Sequence, residues 1–532
     1  MSGITCLILF IAGTVSLAQN VLTRNYDNAR SGANLNETIL TPANVSGLKK
    51  LFTVNVDGEV YAQPLYMANL TIAEVTQNVV FIATMNNSVY ALNADTGAEL
   101  WHVRYGTPIK TKDVQYPKNP NINPASPTGI LSTPVIDPAS GILYYDHGEE
   151  LTSGSTKAYS HHLEAIDIYS GNKLLNSPVT ISEPFTTADG TYNFLAKSEN
   201  QRSSLALASG NIYVMFASHN DQSNGYHGWV YAYSASDLGF VASYMTTTTG
   251  VKGGIWQAGS APAIDTAGNL YISVGNGDYD VSPKGVQQTG ESFIKLSPTL
   301  TLLDWFTPHN AENLNSGDMD LGSSGILLVG DEYVVGGGKA GVIYVDNVDN
   351  LGKFNSSEDQ VLQEFQAVYG MGSSHIHGTP VYFNGNIYVW GENDYLRGFH
   401  FSNGLFNTSP FAESSMTAPV THDNGAMPGG FLSVSANGTT NAIIWASTPY
   451  NANASQATVQ GVLYALDPNT LKVLWSDKTN ASRDDIGMFA KFVPLTIANG
   501  KVYAVNFGPK GTTGAAGQLV VYGLANVLAK TE

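Results

Sequence analysis

One phrase stands near both ends of the chain. Val89-Tyr90-Ala91-Leu92-Asn93-Ala94-Asp95-Thr96-Gly97-Ala98-Glu99-Leu100-Trp101 returns as Leu463-Tyr464-Ala465-Leu466-Asp467-Pro468-Asn469-Thr470-Leu471-Lys472-Val473-Leu474-Trp475. Each copy reads as a strand, a tight polar turn and a second strand that ends in Trp. Weaker copies centre on Ala165, Ala232, Lys295, Val345, Gly398 and Val521. With Ala91 and Ala465 they recur every 50 to 75 residues or so, the spacing of repeat architectures. A strand-rich unit of that size cannot bury both faces alone, but a ring of such units can. The expected fold is therefore all-β, an eight-bladed β-propeller whose blades are four-stranded antiparallel sheets. The last repeat offers only three strands before the chain ends. Leu51-Phe52-Thr53-Val54-Asn55-Val56 precedes the first blade and can supply the missing outer strand. That would close the ring and leave no free edge. The expected division is a signal peptide over 1–18, a lead-in over 19–50 and the propeller over 51–532.

Composition agrees and narrows the function classes. Gly 54, Tyr 28 and 13% charged residues suit short strands joined by many turns. A net charge of −18 argues against nucleic acid and against anionic membrane surfaces as partners. Cys6 is the only cysteine, inside the apolar run 6–12, and Ser16-Leu17-Ala18 follows. This pattern predicts cleavage after Ala18 and secretion. The mature chain would then have neither disulfide nor thiolate chemistry. The apolar run is too short to span a bilayer, and no other stretch is long enough. Asn36, Asn44, Asn69, Asn86, Asn355, Asn407, Asn437, Asn453 and Asn480 head N-x-S/T triplets, which a eukaryotic host would glycosylate.

Residues just before each inner strand should converge on the mouth of the central channel. In order they are Tyr61, Gln63, Ser132, Arg202, Trp256, Gln257, Asp318, Asp320, His375, His377 and Lys491. Arg202 can hold an anionic ligand, or else bridge to a neighbouring blade. Trp256 can stack on a flat ring, or else pack between blades. His375 and His377 fall on one side of an extended segment. With His219 and an Asp they can bind a transition metal; the alternative is a hydrogen-bonded pair. Lys339 is either a cofactor partner or a solvated turn residue. The long connections 107–130 and 182–201 are either site-bearing loops or surface excursions. Gly336-Gly337-Gly338-Lys339 lies between strands and lacks the helix N-terminus that holds phosphate.

The Trp-terminated phrase resembles the tryptophan-docking motif of the quinoprotein alcohol dehydrogenases, eight-bladed propellers that bind pyrroloquinoline quinone (PQQ) and usually calcium. The lead-in is similar too, through Asn25-Tyr26-Asp27-Asn28-Ala29-Arg30-Ser31-Gly32 and Leu40-Thr41-Pro42-Ala43-Asn44-Val45. Three further stretches bear on chemistry. Gly275-Asn276-Gly277 lies where the family places a calcium-binding Asn. Trp305-Phe306-Thr307-Pro308-His309-Asn310 resembles the stretch that ends in the family's catalytic Asp. Lys339-Ala340-Gly341-Val342-Ile343-Tyr344-Val345-Asp346 resembles a later stretch whose Lys, or a neighbouring Arg, reaches the quinone. Two departures stand out. Asn310 has no carboxylate, so Asp318 or Asp320 must serve as base. The family's calcium-binding Glu has no counterpart in Ala217-Ser218-His219-Asn220-Asp221.

The resemblance implies a secreted PQQ-type oxidoreductase acting on a small alcohol or sugar in the channel. Asp318 or Asp320 would be the base. Arg202, Trp256, Gln257, Lys339 and His377 would surround the cofactor, and Asn276 would ligate calcium. The alternatives are a non-catalytic propeller that binds a protein partner, and a transition-metal site built on His219 and His375.

Overall fold

The computed structural model describes residues 20–114, 127–188, 190–219, 225–280, 288–370, 372–419, 427–455, 457–512 and 516–525. The expected signal peptide, Asn220, Asp221 and much of 107–130 lie outside them. No helix among the described residues is long and apolar enough to cross a membrane.

Eight sheets, four of them four-stranded and four five-stranded, follow one another around a channel. Blade 1 is Leu65–Ile72, Val75–Ala83, Ser88–Asn93 and Glu99–Arg104, counted from the channel outward. The inner strands of the next six blades are Val135–Asp137, Ala206–Ala208, Ala263–Ile264, Leu327–Val329, Val381–Phe383 and Phe431–Asn437. Blade 8 takes Thr496–Ala498, Lys501–Asn506 and Gln518–Leu524 from the end of the chain. Its outer strand is Leu48–Asn55, paired antiparallel from Leu48↔Leu524 to Asn55↔Gln518.

The repeated phrase explains how blades join. In blade 1 the Asn93 side-chain oxygen accepts from the N–H groups of Asp95 and Thr96, and Gly97 turns the chain at φ 77°. Only glycine takes that conformation without a Cβ penalty. The second strand then delivers Trp101, whose indole N–H donates to the Ile168 carbonyl of blade 2 at 3.0 Å. Trp475 repeats this contact on Leu48 O at 3.1 Å, so the last docking tryptophan grips the strand that closes the ring. Each inter-blade core is contiguous: Phe81, Trp101, Leu143, Tyr145 and Ile166 pack together across blades 1 and 2.

The lead-in does more than lead in. Residues 21–34 cross the channel and hydrogen-bond the inner strand of every blade. Val21 pairs with Tyr66 of blade 1, and Leu22 O accepts from Ile136 N of blade 2. The Asn28 amide donates to Leu207 O of blade 3. The carbonyls of Asn28, Ala29, Ser31 and Gly32 accept from Ile264, Leu328, Tyr382 and Val434 of blades 4 to 7. The Tyr26 hydroxyl accepts from Ile497 N of blade 8 at 2.9 Å. This plug is locked by Arg30, fully buried, which donates to Pro262 O, Thr23 Oγ1, Arg24 O and Asp27 O at 2.8–2.9 Å. A buried guanidinium is tolerable only when its N–H groups are satisfied in this way. The channel is therefore a cup with one open end.

Candidate functional site

The inner strands start at the open end, and the residues before them form the rim of the cup. Trp256 is the central ring. The Arg202 guanidinium lies 5.7 Å and the Lys339 ammonium 5.8 Å from its centroid, and His377 is 5.6 Å away ring to ring. Phe492 completes the floor, 4.4 Å from Arg202 and 5.8 Å from His377. The plug holds this floor from below, because Arg24 Nη2 donates to Phe492 O at 2.6 Å.

Cations crowd this aromatic floor. Arg202 Nη2 is buried without a hydrogen-bond partner among the described residues. Burial lowers the Arg202 guanidinium to about 10. Burial, then the positive charge of Arg202, brings Lys491 down to about 7. Lys491 donates to Ser455 O at 2.7 Å. Glu59, facing Lys491, is pushed up to about 7 by burial. Such displacements gather where charges are held for function.

Blades 4 and 5 contribute a carboxylate group. Asp320 is buried and accepts from Asn276 N at 2.9 Å. Asp318 is exposed and accepts from the Asn276 amide at 2.7 Å. The Lys339 ammonium pairs with both, at 3.1 Å from Asp318 Oδ2 and in closer contact with Asp320. Burial opposes the Lys339 charge, but Asp320 and Asp318 more than offset it and raise its affinity for the proton. Beneath them Glu291 receives Leu321 N at 2.7 Å. Burial, and then Asp320, hold that carboxyl well above its ordinary range. The short helix Ala311–Ser316 brings the chain back from the outer strand of blade 4 to Asp318. Asn310 stands at the outer end of that helix.

Two expectations need correction. Gln257 does not face the cup. Its backbone turns at φ 42°, its amide donates to Ser203 Oγ at 3.2 Å and its carbonyl accepts from Ser273 N at 3.1 Å. It ties blade 3 to blade 4 instead. His219 does not join the other histidines. It lies with Arg202, Tyr226, Trp256, Asn276 and Asp320 around a cavity of about 140 Å³, and burial drops its imidazole to about 3.

The partner of His375 and His377 is Glu392, which the sequence reading passed over. His377 Nε2 stands 2.9 Å from Glu392 Oε1, and His375 Nδ1 stands 3.3 Å from Oε2. Ser373 Oγ donates to the same carboxylate. Burial brings His375 down to about 4 and lowers His377 as well.

Larger hollows of about 550 and 540 Å³ open on the outer surface, beside Lys157 and Phe194 and beside Tyr279 and Trp305. Neither gathers such a set of displaced charges.

No family model matches the chain, and no curated protein matches it. Solved structures do resemble it. The quinohemoprotein alcohol dehydrogenase of Comamonas testosteroni superposes with a TM-score of 0.58 at 13% identity, over 95% of this chain and 80% of that one. A quinohemoprotein alcohol dehydrogenase of Pseudomonas putida HK5 gives 0.59 at 13% identity, over 95% and 80%. A europium-containing methanol dehydrogenase gives 0.59 at 13% identity, over 95% and 98%. The chain thus has the eight-bladed fold of the quinoprotein dehydrogenases.

Proposed function

We propose that the cup is the active site of a secreted PQQ-type oxidoreductase for a small alcohol or sugar. The supporting observation is the convergence at one rim of a flat ring, three cations and a carboxylate pair. PQQ is planar and carries three carboxylates, so it calls for an aromatic floor and cationic partners. Trp256 with Phe492 offers the floor, and Arg202, Lys339 and Lys491 the cations. The orphaned Nη2 of Arg202 is a donor without an acceptor, as expected of a group that waits for an anion.

The donor set fits the quinone in charge. The cavity of about 140 Å³ lies below the ~300 Å³ of a typical ligand pocket. Arg202, which now lies over both floor rings, must therefore turn aside to admit a ring. For calcium, Asn276, Asp318 and Asp320 offer oxygens, fewer than the six to eight such an ion takes. The quinone and water would have to complete the shell, and Lys339 competes for the two carboxylates.

PQQ, when bound, supplies a two-electron acceptor. The chain's residues do the rest. Asp318, exposed at the rim, is the group that can take the substrate's hydroxyl proton. Asp320, buried, positions Lys339 and Asn276. The plug shuts the far end, so substrate and product share the open mouth.

Calorimetric titration of the calcium-loaded protein with PQQ tests the reading, followed by dye reduction with short alcohols and sugars. Stoichiometric binding with dye reduction supports it. A folded protein that takes up no PQQ overturns it, and leaves a propeller that binds a partner without catalysis.

A further inference from the structure

A second constellation shares the cup with the Asp318–Asp320–Lys339 group, and only its His377 was expected beside the quinone. We propose that His375, His377 and Glu392 of blade 6 bind a first-row transition-metal ion of the zinc or copper class. The ligands would be Nδ1 of His375, Nε2 of His377 and the Glu392 carboxylate.

Three observations carry this. First, the ligand atoms converge: all lie within 4.8 Å of one another. The two nitrogen–oxygen separations are 2.9 and 3.3 Å. Metal bonds of ~2.0–2.1 Å in a tetrahedron put ligand atoms about 3.3–3.4 Å apart. Each nitrogen lies within about half an ångström of this spacing from one carboxylate oxygen, His377 from Oε1 and His375 from Oε2.

Second, the ligands are held from outside. The His375 and His377 rings lie 5.8 Å apart, centroid to centroid, on either side of Ile376. Ile376 N donates to Gly338 O at 3.2 Å, and Ile376 O accepts from Ser323 Oγ at 2.7 Å. Glu392 reaches the pair from the turn after the second strand of the same blade, and its N–H donates to His375 O at 2.9 Å. The Ser373 hydroxyl fixes the carboxylate. Such outer contacts orient metal ligands before the ion arrives.

Third, the donors select the ion. Two imidazoles and one carboxylate suit zinc, copper or cobalt, whereas calcium and magnesium prefer oxygen alone. Three protein ligands leave a coordination position for water or a small molecule. The His375 side chain is 27% exposed while those of His377 and Glu392 are buried, so the open position faces the mouth. An ion there would sit beside Trp256, whose ring lies 5.6 Å from that of His377. Small oxygen or nitrogen donors that enter the cup would meet it first.

The competing explanation is a buried carboxylate satisfied by two imidazole N–H groups and a serine. Cobalt(II) separates the two, because its visible absorption reports coordination directly. The full-length chain, stripped with EDTA and dialysed, is titrated with CoCl₂ and in parallel with ZnSO₄ by calorimetry. One ion per chain, intense tetrahedral bands and no displacement by excess calcium are expected. His375→Ala, at the exposed ligand, should stay folded and bind zinc at least about 100-fold more weakly. Glu392→Gln should weaken it similarly. A folded wild-type chain without cobalt bands at millimolar CoCl₂ overturns the proposal. So does displacement by calcium, which would move the ion to Asp318 and Asp320, or unchanged binding by His375→Ala. None of these readouts involves a quinone or an alcohol, so this site and the dehydrogenase reading fail separately.

Discussion

Arg202→Met asks whether the rim is built for an anion. The guanidinium is held at about 10, roughly 2.5 pH units below its ordinary value, because burial disfavours its charge. At about 1.4 kcal/mol per unit this is a desolvation cost near 3 kcal/mol. Against it stands stacking on Phe492 at 4.4 Å and Trp256 at 5.7 Å, about 2 kcal/mol for a desolvated cation over rings. The two nearly cancel. Methionine fills similar volume without a charge, so the folded state should lose no more than about 1 kcal/mol, or gain slightly. In a chain of this length that moves the midpoint of thermal unfolding by only about 1 °C. An anion seated there would lose a partly buried charge partner, about 3 kcal/mol, which is roughly 150-fold in affinity. The assay is calorimetric titration with PQQ alongside differential scanning calorimetry. A midpoint drop beyond about 5 °C with unchanged PQQ affinity would sink the reasoning and make Arg202 structural.

Asp318→Asn should abolish dye reduction and leave the unfolding midpoint within about 1 °C, because that side chain is exposed. Asp320→Asn should cost about 3 kcal/mol of stability as well, since it strips a buried partner from Lys339; equal midpoints for the two variants would count against these separate roles. Lys491 is charged below about 7 and neutral above it, so PQQ affinity should fall as pH rises through that value. Lys491→Met should bind weakly and remove the step, and a step that persists in the variant would assign it elsewhere. The depressed value also means that the unfolded chain binds the extra proton between about 7 and 10, so stability rises with pH across that window by this group's contribution. Arg30→Met should lower stability by about 4 kcal/mol, because three buried oxygens and one part-buried oxygen lose their donor; a chemical-denaturation midpoint equal to that of the wild type would show that the plug is not locked by this residue.

The blades were legible because their signal is periodic. Val89, Ala91 and Leu463, Ala465 alternate as strands do, and Trp101 and Trp475 mark where neighbouring blades dock. The rim was legible because it occupies one position in every repeat, just before the inner strand. That rule places a residue but not the direction of its side chain, and so it admitted Gln257, which a left-handed turn aims into the wall. Glu392 was missed for the opposite reason. It comes from the far turn of its blade, between Gly391 and Asn393, where a lone carboxylate has no pattern to announce it. The plug was recognisable only as a lead-in, not as a stopper for the channel. Its contacts to the eight inner strands run mostly through backbone carbonyls and amides, which every sequence possesses.

The ring's closing strand has a history that its final position conceals. Leu48–Asn55 leaves the ribosome before any of the eight sheets, yet its partner Gln518–Leu524 comes last. Throughout synthesis, and through any passage across a membrane, Leu51, Phe52 and Val54 must wait along an unpaired edge. Such a segment invites pairing with another chain. Lys49 and Lys50 stand at its head, where charge discourages that association. Trp475, which grips Leu48, can act only after seven blades exist. Nascent chains that stall early therefore carry a sticky strand with nowhere to go, and their aggregation should depend on those two lysines far more than the stability of the finished protein does.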